Sequence, residues 1–313
     1  MGLITELQML RSEKGESGYN VIGVLPGRQH KTATDRLTVI LANYDTVESS
    51  PGVSIGSGMT ALLETVKVLT MMKRICPFRY SVVFVACDLE QTEHSGALSF
   101  IDGWLLPYLN FTAAYFNGAV ILGSVINFEP FPAVQAYPDD FVQMFSDQHE
   151  RLMNQSYMGN YLQMVSRVDD DLLLRSSFSD AFDAAVTVSR KWKIAEPWLM
   201  NVIIDNRSLS GYVDRIQRNF WLQKQLPCLH LSDTGKYRGL MQYCDRSYCD
   251  GLNMLTESNL QFLATVVDSL IRATLKLAAS DCLHSVTACH PDFFRRCFVC
   301  SLVLIRVFGY HCR

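Results

Sequence analysis

No apolar run in this chain is long enough to span a bilayer. The longest one near the C-terminus, Cys297–Tyr310, is broken by Arg306. No block of five like charges offers an interaction tail. A net charge of -3 over 313 residues argues against nucleic acid or an anionic membrane surface as the main partner. Internal repeats and low-complexity segments are missing, so neither a solenoid nor a flexible tether is indicated. The first twenty residues have no basic stretch leading into an apolar core, which excludes a signal peptide there.

What is present fits a globular protein. Hydrophobic residues make up 49% of the chain, enough for a sizeable core. The length suits one large α/β domain or two small ones. Ten cysteines are many for a reducing compartment. Asn110, Asn154 and Asn206 each open an Asn-X-Ser/Thr glycosylation tripeptide. Together these favour a secretory or extracellular protein over one of a reducing compartment; if it is secretory, the true N-terminus is expected upstream of residue 1. Cys244 and Cys249 are close enough for a small loop disulfide.

Strand and helix patterns alternate along the chain. Residues 1–17 are polar and carry little pattern, so a poorly structured segment is expected there. A strand is expected over Asn20–Leu25, and a second, beginning at Leu37, as its neighbour. Leu37–Leu41 is β-branched and apolar, as in the middle of a parallel sheet. Asn43, Tyr44 and Asp45 follow at the strand's C-terminal end, where open α/β sheets place their chemistry. Pro51-Gly52 and Gly56-Ser57-Gly58 then bracket a turn before a helix from about Gly58 to Lys73. Met59, Leu62, Leu63, Val66, Leu69 and Met72 give it an apolar face. A strand over Tyr80–Cys87, a helix over Ser95–Leu106 and a strand over Gly118–Asn127 come next. Residues 139–225 are less regular, with a polar, mobile stretch expected around Arg167–Asp183. A strand over Leu226–Leu231 and a helix over Thr256–Ala279 close the pattern. This alternation indicates an α/β layered sheet. The α/β unit is placed at 18–280. Residues 281–313 hold five of the ten cysteines and three of the seven histidines without a helix or strand period, and read as an irregular extension. Cys297, Cys300, His311 and Cys312 fit no structural zinc spacing well.

Several stretches resemble one family. They are NVIGVLPG (20–27), VILANYDTV (39–47), PGVSIGSGMTALLE (51–64), VVFVACDLEQTEHSGALSF (82–100), GAVILGSVINF (118–128) and LSDTGKYRGLMQYCDRSYCD (231–250). In order and spacing they resemble the co-catalytic di-zinc aminopeptidases, metallopeptidase family twenty-eight. That group includes glutamate carboxypeptidases, glutaminyl cyclases and the transferrin receptor ectodomain. The resemblance covers about residues 20–277. It implies a zinc-exopeptidase-like three-layer α/β/α sandwich around a mostly parallel sheet.

The family holds two zinc ions with five side chains, and the resemblance implies where they would fall. The first histidine falls on Asn43. The bridging aspartate's loop is represented by Val53–Gly56, one residue short and without a carboxylate. The ligand of the Glu-Glu pair falls on Gln91, the strand aspartate on Gly123, and the last histidine on Arg246. Amides and cations are poor or impossible zinc donors. Two functional positions remain: Asp45, which in the family orients the first histidine, and Glu90, the family's general base. Asp45 has a bland alternative as a loop cap through backbone N–H groups. Arg246 is expected to occupy the former metal region and to neutralise Glu90 or Asp45. His94 and His230 are assigned surface or core roles. The resemblance also implies a Cys244–Cys249 disulfide.

The reading that follows is a non-catalytic homologue with no cofactor, whose cleft holds a peptide terminus or presents a surface to a protein partner. The alternative is an active zinc-dependent metallo-aminopeptidase with a rearranged site.

Overall fold

The computed structural model describes residues 2–11, 15–91, 95–144, 146–188, 195–201 and 213–281. Eight strands form one mixed sheet. They are β1 (Ile4–Arg11), β2 (Ser17–Leu25), β3 (Arg36–Asn43), β4 (Val82–Cys87), β5 (Tyr115–Leu122), β6 (Tyr161–Ser166), β7 (Ala195–Asn201) and β8 (Cys228–Ser232). Their order across the sheet is β1-β2-β4-β3-β5-β8-β6-β7. The central block β4-β3-β5-β8 is parallel throughout, as are β6 and β7. The other three pairings are antiparallel.

Helix α1 (Val53–Met72), α6 (Leu172–Val188) and α9 (Glu257–Leu277) cover one face. Ile40, Phe84 and Val120 of the sheet meet Leu62, Leu69, Phe178, Val266 and Leu270 there. The opposite face is covered by α2 (Gly96–Phe100), which runs through a π-turn (Ile101–Leu105) into α3 (Leu106–Thr112), and by α7 (Arg215–Lys224). Val39, Val83 and Ile121 pack there on Phe100, Leu105 and Trp221. The short helices α4 (Asp139–Met144), α5 (Ser146–Asn154) and α8 (Met241–Cys244) lie in the connections. The molecule is thus the three-layer α/β/α sandwich, with strands of the parallel block buried on both faces.

Several expectations need correction. The N-terminal segment is not without structure: β1 pairs antiparallel with β2 over eight residues. Its order comes from main-chain bonds rather than burial, since only Leu10 of the eight is buried. That is why no period marked it. Leu7, Met9, Tyr19 and Val21 form an exposed apolar stripe on this hairpin. β2 does not lie beside β3, because β4 is inserted between them. β5 ends at Leu122, so Gly123 stands at the strand's C-terminal end rather than within it. The polar Arg167–Asp183 stretch is ordered. Arg167 and Asp171 are buried ion-pair partners, and Asp171 also accepts from the Cys228 N–H at 3.0 Å. The rest of that stretch is mostly α6. Asn206, His94 and nearly all of the 281–313 extension lie outside the described residues, whereas Asn110 and Asn154 are exposed on α3 and α5.

Helix α1 begins five residues earlier than its local signals indicate. Its N-cap is Gly52 at φ 68°, with no capping side chain of its own. The cap comes instead from Asp250, which accepts from the Ser54 N–H at 2.8 Å and the Ser54 hydroxyl at 2.6 Å. An anionic acceptor at this end is the favourable sign for the helix dipole. Asp250→Ala is expected to cost about 1–2 kcal/mol. Hydrogen exchange should accelerate in the first turn of α1 and in the 244–250 loop, and not in α9.

Candidate functional site

The C-terminal ends of β3, β4, β5 and β8 converge, as in other open α/β sheets. Asn43 ends β3 in register with Cys87, which ends β4. Asn43 is nearly buried and donates from Nδ2 to the Asp45 carbonyl oxygen at 3.4 Å. Tyr44 turns outward and donates from its hydroxyl to Asp88 Oδ2 at 2.8 Å.

Asp45 accepts the Gln91 backbone N–H at 2.7 Å through Oδ2. Its Oδ1 is buried without a partner. Burial raises its pKa, against the Gln91 N–H bond, which lowers it. Asp45 therefore clamps the β4 loop to the β3 loop, the capping role open to it from sequence.

Glu90 is only 4% exposed. One oxygen accepts the Ala97 N–H at 2.5 Å. Burial pushes its carboxyl up to about 7; the Asp214 and Asp45 charges add to this, while the Ala97 N–H works against it. Gly96, just before Ala97, lets the α2 start press against the Asp88 carbonyl where a Cβ would collide.

Arg246 does not neutralise either carboxylate. It sits at φ 55° in a loop closed by the Cys244–Cys249 disulfide, whose Cα atoms are 5.2 Å apart. The Ser49 hydroxyl donates to its carbonyl oxygen at 3.0 Å. Its Nη2 donates to Gln91 Oε1 at 3.0 Å. Among the described residues no ion pair joins it to Glu90 or Asp45. The buried carboxylates are held by backbone N–H groups instead, so no cation is required to keep them.

Gly123 faces a neighbour that sequence reading had set aside. A Cβ at Gly123 would lie 2.8 Å from His230 Nε2 on the adjacent strand. The imidazole thus occupies the space a longer side chain at 123 would need. Burial lowers the His230 pKa, opposed by Asp214 and Asp233. Asp214 is the functional neighbour that sequence reading missed. It caps α7 by accepting the Ile216 N–H at 2.8 Å, and borders the same cleft. Its sequence signal was only an aspartate before a helix, 124 positions from Glu90 in the chain.

The cleft measures about 190 Å³ and is lined by Asn43, Glu90, Gln91, Asp214, Arg215 and Arg246, with Ile216 at its side. Among the described residues, no three His, Cys, Asp or Glu side chains are grouped to hold a metal ion.

The sequence signature described as peptidase family M28 matches residues 20–172, which carry Asn43, Asp45, Glu90, Gln91 and Gly123. Residues 20–172 belong to peptidase family M28. The fold agrees. A zinc aminopeptidase from Bacillus subtilis superposes with a TM-score of 0.51 at 15% identity, over 84% of this chain and 50% of that one. The aminopeptidase LapA of Legionella pneumophila gives 0.56 at 12% identity, over 88% and 59%. An aminopeptidase from Aneurinibacillus sp. strain AM-1 gives 0.51 at 14%, over 83% and 48%. At these identities the likeness is one of fold. The chain spans about half to three-fifths of the length of these structures. No curated protein matches the sequence. No helix among the described residues is long and apolar enough to cross a membrane.

Proposed function

We propose that this chain is a non-catalytic M28 homologue whose former peptidase cleft serves binding or scaffolding. The observation that carries the reading is the Arg246–Gln91 hydrogen bond at 3.0 Å. It puts a guanidinium against an amide at the two positions where the family resemblance places a histidine and a carboxylate ligand. With Asn43 and Gly123 at two further ligand positions, the donor set does not fit a two-zinc centre. Asp250, the carboxylate that meets the start of α1, is spent on Ser54.

The chemistry follows from the residues. A zinc pair in this family supplies a Lewis acid and a water of lowered pKa. Glu90 acting alone as a general base contributes roughly 10²–10⁴-fold, far below what peptide hydrolysis demands. The cleft is therefore suited to holding a ligand rather than cleaving one, a peptide terminus being the ligand class its size and polarity favour.

The test uses purified full-length protein, zinc at several concentrations and aminoacyl reporter substrates. The expected result is sub-stoichiometric zinc by elemental analysis and no turnover above the zinc-only blank. One or two zinc ions per chain, with turnover abolished by Glu90→Gln, would establish the zinc-dependent aminopeptidase instead.

A further inference from the structure

Two guanidinium groups border the cleft and neither forms an ion pair among the described residues, although Asp245 lies near enough to Arg246 for their charges to interact. Among the described residues Arg246 makes one side-chain hydrogen bond, to the neutral oxygen of Gln91. Arg215, the first residue of α7, is exposed and makes no ion pair among the described residues. A cation at that end of a helix is on the unfavourable side of the dipole, so no stabilisation of α7 accounts for it. The cleft's carboxylates differ in this respect. Asp214 is engaged by the Ile216 N–H, and Glu90 by the Ala97 N–H. A guanidinium offers five donors in a planar fork that matches a carboxylate, and most of these donors are unused here.

Glu90 adds the second contact. It is buried to 4% exposure, lines the cleft, and among the described residues only its Oε1 has a hydrogen-bond partner. The other oxygen has no hydrogen-bond partner among the described residues and is open to a donor in the cleft. Guanidinium donors and this acceptor are both presented to one cavity of about 190 Å³, roughly the space of six liquid waters. That is room for the end of a peptide rather than its length.

Resting on the binding reading above, we propose that the cleft recognises an α-carboxylate with its adjacent N–H, the C-terminal end of a peptide or a free amino acid. The carboxylate pairs with Arg246 and Arg215, and the N–H donates to the free oxygen of Glu90.

Titration calorimetry on the full chain with four probes tests this: leucine, the tripeptide Gly-Gly-Leu, the same tripeptide amidated at its C-terminus, and leucinamide. Saturable binding of Gly-Gly-Leu, at least tenfold weaker for its amide, is expected, with leucinamide inert. Equal binding of leucine identifies a free amino acid as sufficient, whereas tenfold weaker leucine identifies a peptide end. Arg246→Gln should weaken the acid at least tenfold with an unchanged thermal melt, and Arg215→Gln should weaken it severalfold. Arg246→Lys should recover only part, because an ammonium lacks the fork. Equal affinity for acid and amide, preference for leucinamide, or no binding by folded, zinc-free and inactive protein would overturn the proposal and leave the non-catalytic reading intact. Zinc with turnover in the same sample would overturn that reading instead.

Discussion

Arg238→Ala is expected to lower the unfolding free energy by about 3–5 kcal/mol, the largest single-residue effect anticipated in this chain. Arg238 has no exposed surface at all, and no carboxylate partners it among the described residues. It is held by oxygens instead. Nη1 donates to the Asn127 carbonyl at 2.9 Å and the Tyr161 carbonyl at 2.8 Å, and Nε donates to Gln135 Oε1 at 2.9 Å. The guanidinium stands 4.4 Å from the Tyr161 ring centroid. Gly159 leaves the space, since a Cβ there would meet Arg238 Cδ at 2.8 Å. One side chain thus fastens the exits of β5 and β8 to the start of β6. Truncation opens a cavity and leaves buried acceptors unmet, each costing about 1–3 kcal/mol. Arg238→Lys should recover less than half, because one ammonium cannot reproduce the spread of the fork. Urea titration followed by tryptophan fluorescence measures both. A loss below 1 kcal/mol for the alanine variant would show that water replaces the guanidinium at little cost.

Glu90→Gln should act in the opposite direction and depend on pH. The folded carboxyl titrates at about 7, above the 4.5 of an ordinary glutamate, mainly because it is buried. Between those values the native state keeps a proton that the unfolded chain releases. The contribution of Glu90 is therefore most favourable below pH 4.5, and is lost as the pH rises through 7. Above pH 7 the ionised side chain costs about 3 kcal/mol relative to a neutral one. Glutamine keeps an acceptor for the Ala97 N–H without the charge. Its advantage over the parent should be small at pH 4.5 and reach a few kcal/mol at pH 8. Denaturant midpoints at the two pH values give the answer, and a difference independent of pH would mean that Glu90 is solvated in the native protein.

Much of the architecture was legible because buried parallel strands announce themselves. The apolar runs at Leu37–Leu41 and Val82–Cys87 need no partner to be recognised. The β1 edge strand was not legible, since its order is a property of main-chain pairing. The insertion of β4 between β2 and β3 was hidden for a related reason: pairing partners are set by the whole sheet. At the site, the positions of Asn43, Glu90, Gln91 and Arg246 around one cleft followed from the family resemblance. The partner of Arg246 did not, because carboxylate and amide lie one residue apart and only the loop path selects between them. Asp214 and the packing of His230 against Gly123 came from strands and helices that sequence order keeps apart. The burial of Arg238 had no local mark, since an arginine amid Gly, Lys and Tyr reads as surface.

The cap on α1 has a consequence for synthesis. Asp250 follows Ser54 by 196 positions. At about 5–20 residues per second, a ribosome needs on the order of 10–40 s to bridge that interval. During that time the front of α1 has emerged without its acceptor, and a nascent chain halted before Asp250 would present that turn frayed.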